Sequence, residues 1–341
     1  MKTDLFDFEL PQELIAQVPA QQRSGSRLLV YNRATDVVEH KKFSDICDLF
    51  AEGDLLVLNS SRVIPARMFT IDSEYGKAGY EVLFVKQLEN GNFTAMVQPG
   101  RRFKVGRIHL MPGNNRVEVL KVLPTGLREL RFLDNDDPVA VFRKYGQMPL
   151  PPYITSRESE PERYQTVYSE QEGSIAAPTA GLHFDDRIFS ELKKRGVKIA
   201  HIVLHVGLGT FKPVESENIY DHKMHEEVFY ISKQTAEIFA ETRAKGSRIW
   251  ACGTTSVRTL ESAIKADEQL KTGWQSTDCF ITPGYSFRSV DCMITNFHLP
   301  RSTLLMLVSA FAGRQKVLEL YNEAVKERYR FFSFGDSMVI L

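Results

Sequence analysis

The chain has 341 residues, long enough for a sizeable core in one large domain or two ordinary ones. Lysine plus arginine and aspartate plus glutamate number 43 each, so overall charge points to neither a nucleic-acid nor a membrane partner. The start, Met1-Lys-Thr-Asp-Leu-Phe-Asp7, lacks an apolar signal core, and the most apolar run, residues 304–311, is too short to span a bilayer; a soluble, cytoplasmic protein is expected.

Residues 11–17 begin like a short helix with Leu14 and Ile15 inward, residues 26–31 read as a strand and 43–50 as a helix. Gly53-Asp54 leads into a buried strand at 55–58, which runs into the polar cluster Asn59-Ser-Ser-Arg62. From 63 to 148 the texture changes. Short, partly alternating runs at 81–87, 92–98, 116–122 and 127–133 are separated by Glu89-Asn-Gly-Asn92, Pro112-Gly-Asn-Asn115 and Pro124-Thr-Gly126, and no helix is expected before 138–145. Strands at this spacing predict a small β-barrel. Lysine and arginine outnumber aspartate and glutamate by 13 to 9 here, with Arg101, Arg102, Lys104 and Arg107 close together. Such a run is either a solvated surface or a contact for nucleic acid. Pro149-Leu-Pro-Pro152 is a stiff linker out of the region.

Beyond it, strands and helices alternate, which predicts a mostly parallel sheet flanked by helices. An apolar strand at 173–177 turns at 178–181, and Asp185 or Asp186 caps a helix at 186–195 striped by Ile188, Phe189 and Leu192. A strand at 197–206, a helix at 234–245, a strand at 248–252, a helix at 257–265 and a strand at 290–294 follow. A helix at 303–311 is apolar nearly all round and so buried; a last helix and a strand at 337–341 close the chain. The expected fold is mixed α/β: a catalytic domain of residues 1–62 plus 149–341, with a β-barrel domain of 63–148 inserted.

Four segments share one design, a strand end followed by small or polar residues: 176–184, 205–211, 253–258 and 295–302. In an open α/β sheet such ends meet at one crevice. That would bring His183, His205, His298, Thr179, Thr254, Thr255, Ser256 and Asn296 together from distant positions. Taken singly, His183 reads equally well as a residue that only bonds its turn. Gly253-Thr-Thr-Ser256 at a helix start suits an anion or carboxylate, yet it lacks the Gly-Lys-Ser/Thr of a phosphate-binding loop. His201 and His205 lie four apart on a strand, about 13 Å, so they cannot share a zinc. His201 reads as a core residue, and His222 and His225, with Glu226 beside them, as lesser candidates; no metal centre is expected. Cys47, Cys252, Cys279 and Cys292 form no CxxC pair and read as reduced packing residues.

Several long motifs resemble the S-adenosylmethionine:tRNA ribosyltransferase-isomerase (QueA) family. They include Ala177-Pro-Thr-Ala-Gly-Leu-His-Phe184, Leu204-His-Val-Gly-Leu-Gly-Thr-Phe-Lys-Pro-Val214, Gly253-Thr-Thr-Ser-Val-Arg-Thr-Leu-Glu-Ser262 and Thr295-Asn-Phe-His-Leu-Pro-Arg-Ser302. Arg62-Val-Ile-Pro-Ala-Arg67 and Arg163-Tyr-Gln-Thr-Val-Tyr168 belong to the same set, so the resemblance runs from the first helix to near the C-terminus. Trp250 and Cys252 depart from a strand expected to be plainly aliphatic.

The resemblance implies a mixed α/β domain with an inserted barrel. It also implies transfer and isomerisation of the ribosyl unit of S-adenosylmethionine onto 7-aminomethyl-7-deazaguanine at the wobble position of tRNA. Epoxyqueuosine-tRNA, adenine and methionine would leave. S-adenosylmethionine is then a substrate, with no cofactor beyond it; separately from the resemblance, a monomer is expected. A carbon beside a sulfonium is acidic, so His183 and His205, with His298 as a third candidate, are assigned to proton transfer. Thr179, Thr254, Thr255, Ser256 and Asn296 would hold ribose and methionine groups, and Arg258 the methionine carboxylate or a phosphate. Contacts to tRNA fall to Arg101, Arg102 and Lys104, and to Arg62 and Arg67 near the crevice. Two other readings stay open: a tRNA-binding module without catalysis, and another S-adenosylmethionine-dependent transferase such as a methyltransferase.

Overall fold

The computed structural model describes residues 1–71, 79–156, 160–207 and 214–341. Most of the loop expected at 205–211, and of residues 70–80, lies outside the described residues. The described chain divides into two units, one of Met1–Arg62, Pro151–Gln171 and Ala177–Leu341, the other of Val63–Leu150 and Glu172–Ala176. In chain order, β1 (Arg27–Asn32), β2 (Val37–Lys42) and β3 (Leu55–Asn59) precede the short β4 (Ser61–Val63). Next come β5 (Arg67–Phe69), β6 (Glu81–Gln87), β7 (Phe93–Gln98), β8 (Ile108–Met111), β9 (Asn115–Val122), β10 (Arg128–Phe132) and helix α1 (Pro138–Tyr145). After β11 (Gln171–Ser174) come α2 (Asp186–Lys194), β12 (Lys198–Leu204), β13 (Glu227–Ile231), α3 (Lys233–Ala244), β14 (Ile249–Cys252) and α4 (Gly253–Ala263). The chain ends with β15 (Gly273–Thr277), β16 (Cys292–Asn296), α5 (Thr303–Ala312), α6 (Arg314–Lys326) and β17 (Ser337–Ile340).

In the second unit, β5-β6-β7-β10-β9-β8 form an antiparallel six-stranded sheet. Its ends approach each other where the Ile71 amide donates to the Leu110 carbonyl at 2.8 Å, so the barrel is nearly closed. Phe84, Phe93, Phe132 and Phe142 pack together inside it, their ring centroids 5.1–6.2 Å apart where they pair.

The first unit is built on a nine-stranded sheet, β15-β13-β12-β3-β14-β16-β17-β1-β2. The fold is mixed α/β. β12, β3, β14 and β16 run parallel side by side, and β17 with β1 also, whereas the other pairings are antiparallel. The sheet is therefore half parallel rather than mostly so. β3, β14 and β16 are buried along their whole lengths, as strands covered on both faces must be. Leu56, Leu58, Trp250, Cys252 and Ile294 meet Phe43, Phe184, Ile188 and Leu192 on one face. Helices α3 and α4 also pack on these strands without joining that cluster, which places them on the other face.

Several boundaries differ from those expected. The strand before His183 is Gln171–Ser174, not the apolar 173–177: the chain bends at 175–176 and then enters the 3-10 turn Thr179–His183. Residues 12–14 and 43–49 are 3-10 rather than α-helical. Residues 253–256 are the first turn of α4, not a loop: Gly253 takes φ +84°, which lets the chain pass from strand to helix in one residue. β2, β5, β8 and β15 had no apolar alternation to announce them. Asp185 caps α2 through the Ile188 amide.

Trp250, out of place in an aliphatic strand, has a reason in the core. Its ring stacks on Phe50 at 4.0 Å, and its indole N–H donates to Asp54 at 2.9 Å. Asp54 is 1 % exposed, and it also accepts from the Arg248 guanidinium at 2.7 and 3.1 Å and from the Ala51 and Arg248 amides. One carboxylate thus ties the entry of β3 to the entry of β14. Replacing Asp54 with Ala takes the acceptor from five N–H donors, and we expect a loss of about 3–5 kcal/mol in urea unfolding. A loss under about 1 kcal/mol would contradict this role.

Candidate active site

Because β12, β3, β14 and β16 are parallel neighbours, their carboxyl ends share one edge of the sheet. Asn59 locks that edge. Its side-chain oxygen accepts from the Leu204 amide at 3.0 Å and its nitrogen donates to the Leu204 carbonyl at 3.0 Å, adding one side-chain step to the β3–β12 ladder. From β14 the chain enters α4 at once, and no side chain caps the helix N-terminus. Its first amides therefore face the edge, Thr254 and Thr255 belong to that first turn, and Ser256 Oγ donates back to the Cys252 carbonyl at 2.8 Å.

His183 is buried and makes bonds at both nitrogens. Nε2 lies 3.0 Å from Asn296 Nδ2 and Nδ1 2.7 Å from Ser26 Oγ. The Asn296 amide can only donate, so Nε2 is the acceptor and the neutral ring carries its proton on Nδ1, donating to Ser26. Burial pushes the His183 pKa down to about 3, with help from the Arg330 and Arg23 cations. Asn296 is held in that orientation because the same nitrogen faces the Phe332 and Asp336 carbonyls at 3.3 Å each. Gly181 lets the turn pack closely on Tyr168, whose hydroxyl a Cβ there would overlap. Thr179, half-buried, opens the same 3-10 turn.

His298 lies beyond the same strand end but is held differently. Its Nε2 is 2.7 Å from Thr295 Oγ1, and its backbone N–H donates to the Tyr321 hydroxyl. Thr295 and Asn296 point to opposite faces of β16, so His183 and His298 flank the strand end rather than touch. Burial lowers the His298 pKa to about 3 as well. His205 follows β12, three strand spacings or about 14 Å across the sheet from β16. Its ring stacks on Trp274 and burial lowers its pKa.

Arg258 does not stand free for an anion. It pairs with the buried Glu227 and donates through Nε to the Cys279 carbonyl, and Glu227 Oε1 accepts the Gly207 amide. Among the described residues, four buried polar atoms around this edge nevertheless have no hydrogen-bond partner: Asn296 Oδ1, Thr255 Oγ1, His205 Nδ1 and Arg258 Nη2. At a strand-end edge such atoms are available to water or to a ligand. Ser26, Asn59 and Glu227 escaped the sequence reading, since each works by bonding a residue far along the chain.

Of the cations assigned to tRNA, Arg62 is bonded to both oxygens of Glu162, and Arg67 to Glu81 and the Leu150 carbonyl. Their charge is thus already matched. Arg101 and Lys104 are exposed, and Arg102 lies over the Tyr80 ring. His201 packs on Tyr168, and His222 on Phe280. Glu226 accepts from Ser276 Oγ. Among the described residues, no group of three or more His, Cys, Asp or Glu side chains could hold a metal ion. Among the same residues, no helix is long and apolar enough to cross a membrane. A surface groove of about 490 Å³ between α2 and the 43–49 turn contains none of the candidate residues.

The two buried imidazoles make stability depend on pH with a fixed sign. Unfolded, each binds a proton near pH 6.5; folded, only near pH 3. Between these values the unfolded chain holds more protons, so stability is complete above about pH 6.5. It falls on acidification by up to about 1.4 kcal/mol per pH unit for each ring. Urea unfolding at pH 7 and pH 5 should show a shallower decline for His183→Gln/His298→Gln than for the wild type. An equally steep decline would contradict the assignment.

The whole chain can be placed among known proteins. The model of the family described as "Queuosine biosynthesis protein" matches residues 3–340. A protein of Clostridioides difficile named S-adenosylmethionine:tRNA ribosyltransferase-isomerase is 50% identical over 344 residues, covering 100% of both chains. One of the same name from Thermotoga maritima is 50% identical over 341 residues, again covering 100% of both. The crystal structure of an S-adenosylmethionine tRNA ribosyltransferase from Thermotoga maritima aligns with a TM-score of 0.57 at 41% identity, covering 99% of this chain and 100% of that one. With its strand-end site and a match from end to end, this chain belongs to the queuosine biosynthesis protein family.

Proposed function

We propose that the chain is an S-adenosylmethionine:tRNA ribosyltransferase-isomerase. It moves and isomerises the ribosyl moiety of S-adenosylmethionine onto 7-aminomethyl-7-deazaguanine at the wobble position of tRNA. Epoxyqueuosine-tRNA, adenine and methionine are released. The observation that carries this reading is the full-length match, at half of all positions, to relatives of that name. The protein acts in the cytoplasm as a monomer, with S-adenosylmethionine as donor substrate and no further cofactor.

The site suits the chemistry this asks for. A base removes the C5′ proton beside the sulfonium, adenine departs with a proton on its ring nitrogen, and the sugar opens and recloses while its hydroxyls stay bonded. His205 is the freer proton carrier, because its Nδ1 has no partner. His183 offers its Nε2 lone pair once Asn296 turns to the ligand, and His298 is the third candidate. Thr179, Thr254, Thr255, Ser256 and Asn296 hold ribose and methionine groups. The uncapped start of α4 receives the methionine carboxylate, and Arg258, its charge balanced by Glu227, supplies the Nη2 donor.

Three outcomes follow. Incubation with S-adenosylmethionine and precursor-bearing tRNA releases adenine and methionine; S-adenosylhomocysteine would identify a methyltransferase instead. His183→Ala and His205→Ala each lower turnover at saturating substrate by about 100-fold or more, and wild-type turnover in both would end the proton-transfer assignment. Neutralising Arg101, Arg102 and Lys104 together weakens tRNA binding and lowers the slope of log affinity against log salt by about 2. Unchanged affinity across the salt range would rule them out.

A further inference from the structure

One face of the sheet's edge is aromatic and open. In β13 and β15, Glu227, Phe229, Ile231 and Thr277 are buried, whereas Val228 and Ser276 are exposed and Tyr230 is half-buried. Trp274 pairs with Tyr230 across the ladder and is 54 % exposed, their rings 5.1 Å apart. His205 lies 5.8 Å away at 22°, continuing the row to the strand-end site, with its buried Nδ1 unpartnered. A lone exposed tryptophan calls for no account. This one sits between two other rings, stacked on His205 and tilted against Tyr230. The chain's other tryptophan, Trp250, is fully buried.

We propose that Trp274 is a stacking platform for an unpaired base of the tRNA substrate. The inference rests on the tRNA reading above and extends it to a residue that reading does not use. Small ligands bind in enclosed pockets that remove most of their surface from water, and this ring is too open for that. Unpaired bases of RNA instead stack on exposed aromatic side chains, while cations hold the flanking phosphates. Lys271, three residues before Trp274, and Lys233, just beyond the β13 end that pairs with Gly273, supply those cations: both are exposed, and neither holds a carboxylate among the described residues.

Fluorescence tests this directly, since only one of the two tryptophans is exposed. Titration with a synthetic anticodon stem-loop RNA should quench the red edge of the emission, and S-adenosylmethionine alone should not. Trp274→Ala should weaken RNA affinity about tenfold and raise KM for tRNA but not for S-adenosylmethionine, and Trp274→Phe should restore both. Unaltered Trp250 emission in Trp274→Ala verifies an intact core. RNA that binds without quenching, to a Trp274→Ala variant of wild-type affinity, overturns the platform alone. Quenching by S-adenosylmethionine, with only its KM raised in the variant, also overturns it and gives the ring to the donor's adenine. RNA that fails to bind the wild type sinks the tRNA reading and the platform with it.

Discussion

Parallel pairing of β12, β3, β14 and β16 is the constraint from which the site follows. Parallel neighbours must end on the same edge, so residues numbered near 59, 205, 253 and 296 meet there although the chain separates them widely. The register is held at both ends of β3. Asp54 gathers Arg248 and the Trp250 indole at the entry, and Asn59 extends the ladder to Leu204 at the exit. Both side chains are buried, so the strands cannot slip without stranding polar groups.

The same accounting separates framework from site. At His183 both ring nitrogens are matched, which fixes its tautomer, and burial holds it neutral. A few ångströms on, Asn296 keeps a buried, unmatched oxygen, and Thr255, His205 and Arg258 each keep one unmatched atom among the described residues. A rigid, bonded shell behind a set of unbonded groups is the arrangement of a pre-organised site. The unmatched atoms already stand in place, and only the Asn296 amide must turn to free His183 Nε2.

Much of this was legible in the sequence. Fully apolar runs announced β3, β14 and β16, and caps and stripes announced α2 and α5. The polar residues after strand ends could be grouped because α/β sheets put such ends together. What could not be read was pairing at a distance. Nothing near Ser26 connects it with His183, nothing near Arg258 shows that Glu227 neutralises it, and Arg62 and Arg67 looked like free cations until Glu162 and Glu81 were found beside them. Edge strands were missed for a related reason. Val37–Lys42 and Gly273–Thr277 are half in water, so their sequences lack the alternation that burial imposes. Trp274 went unnoticed with its strand.

The central claim, that the shared strand edge is where the donor binds, is tested most directly by a crystal structure with S-adenosylmethionine. The account predicts the methionine carboxylate at the first turn of α4 against Thr254 and Thr255, and a ligand polar atom within hydrogen-bond distance of Asn296 Oδ1. S-adenosylmethionine bound elsewhere, with Asn296 Oδ1 and Thr255 Oγ1 still unpartnered, would contradict it.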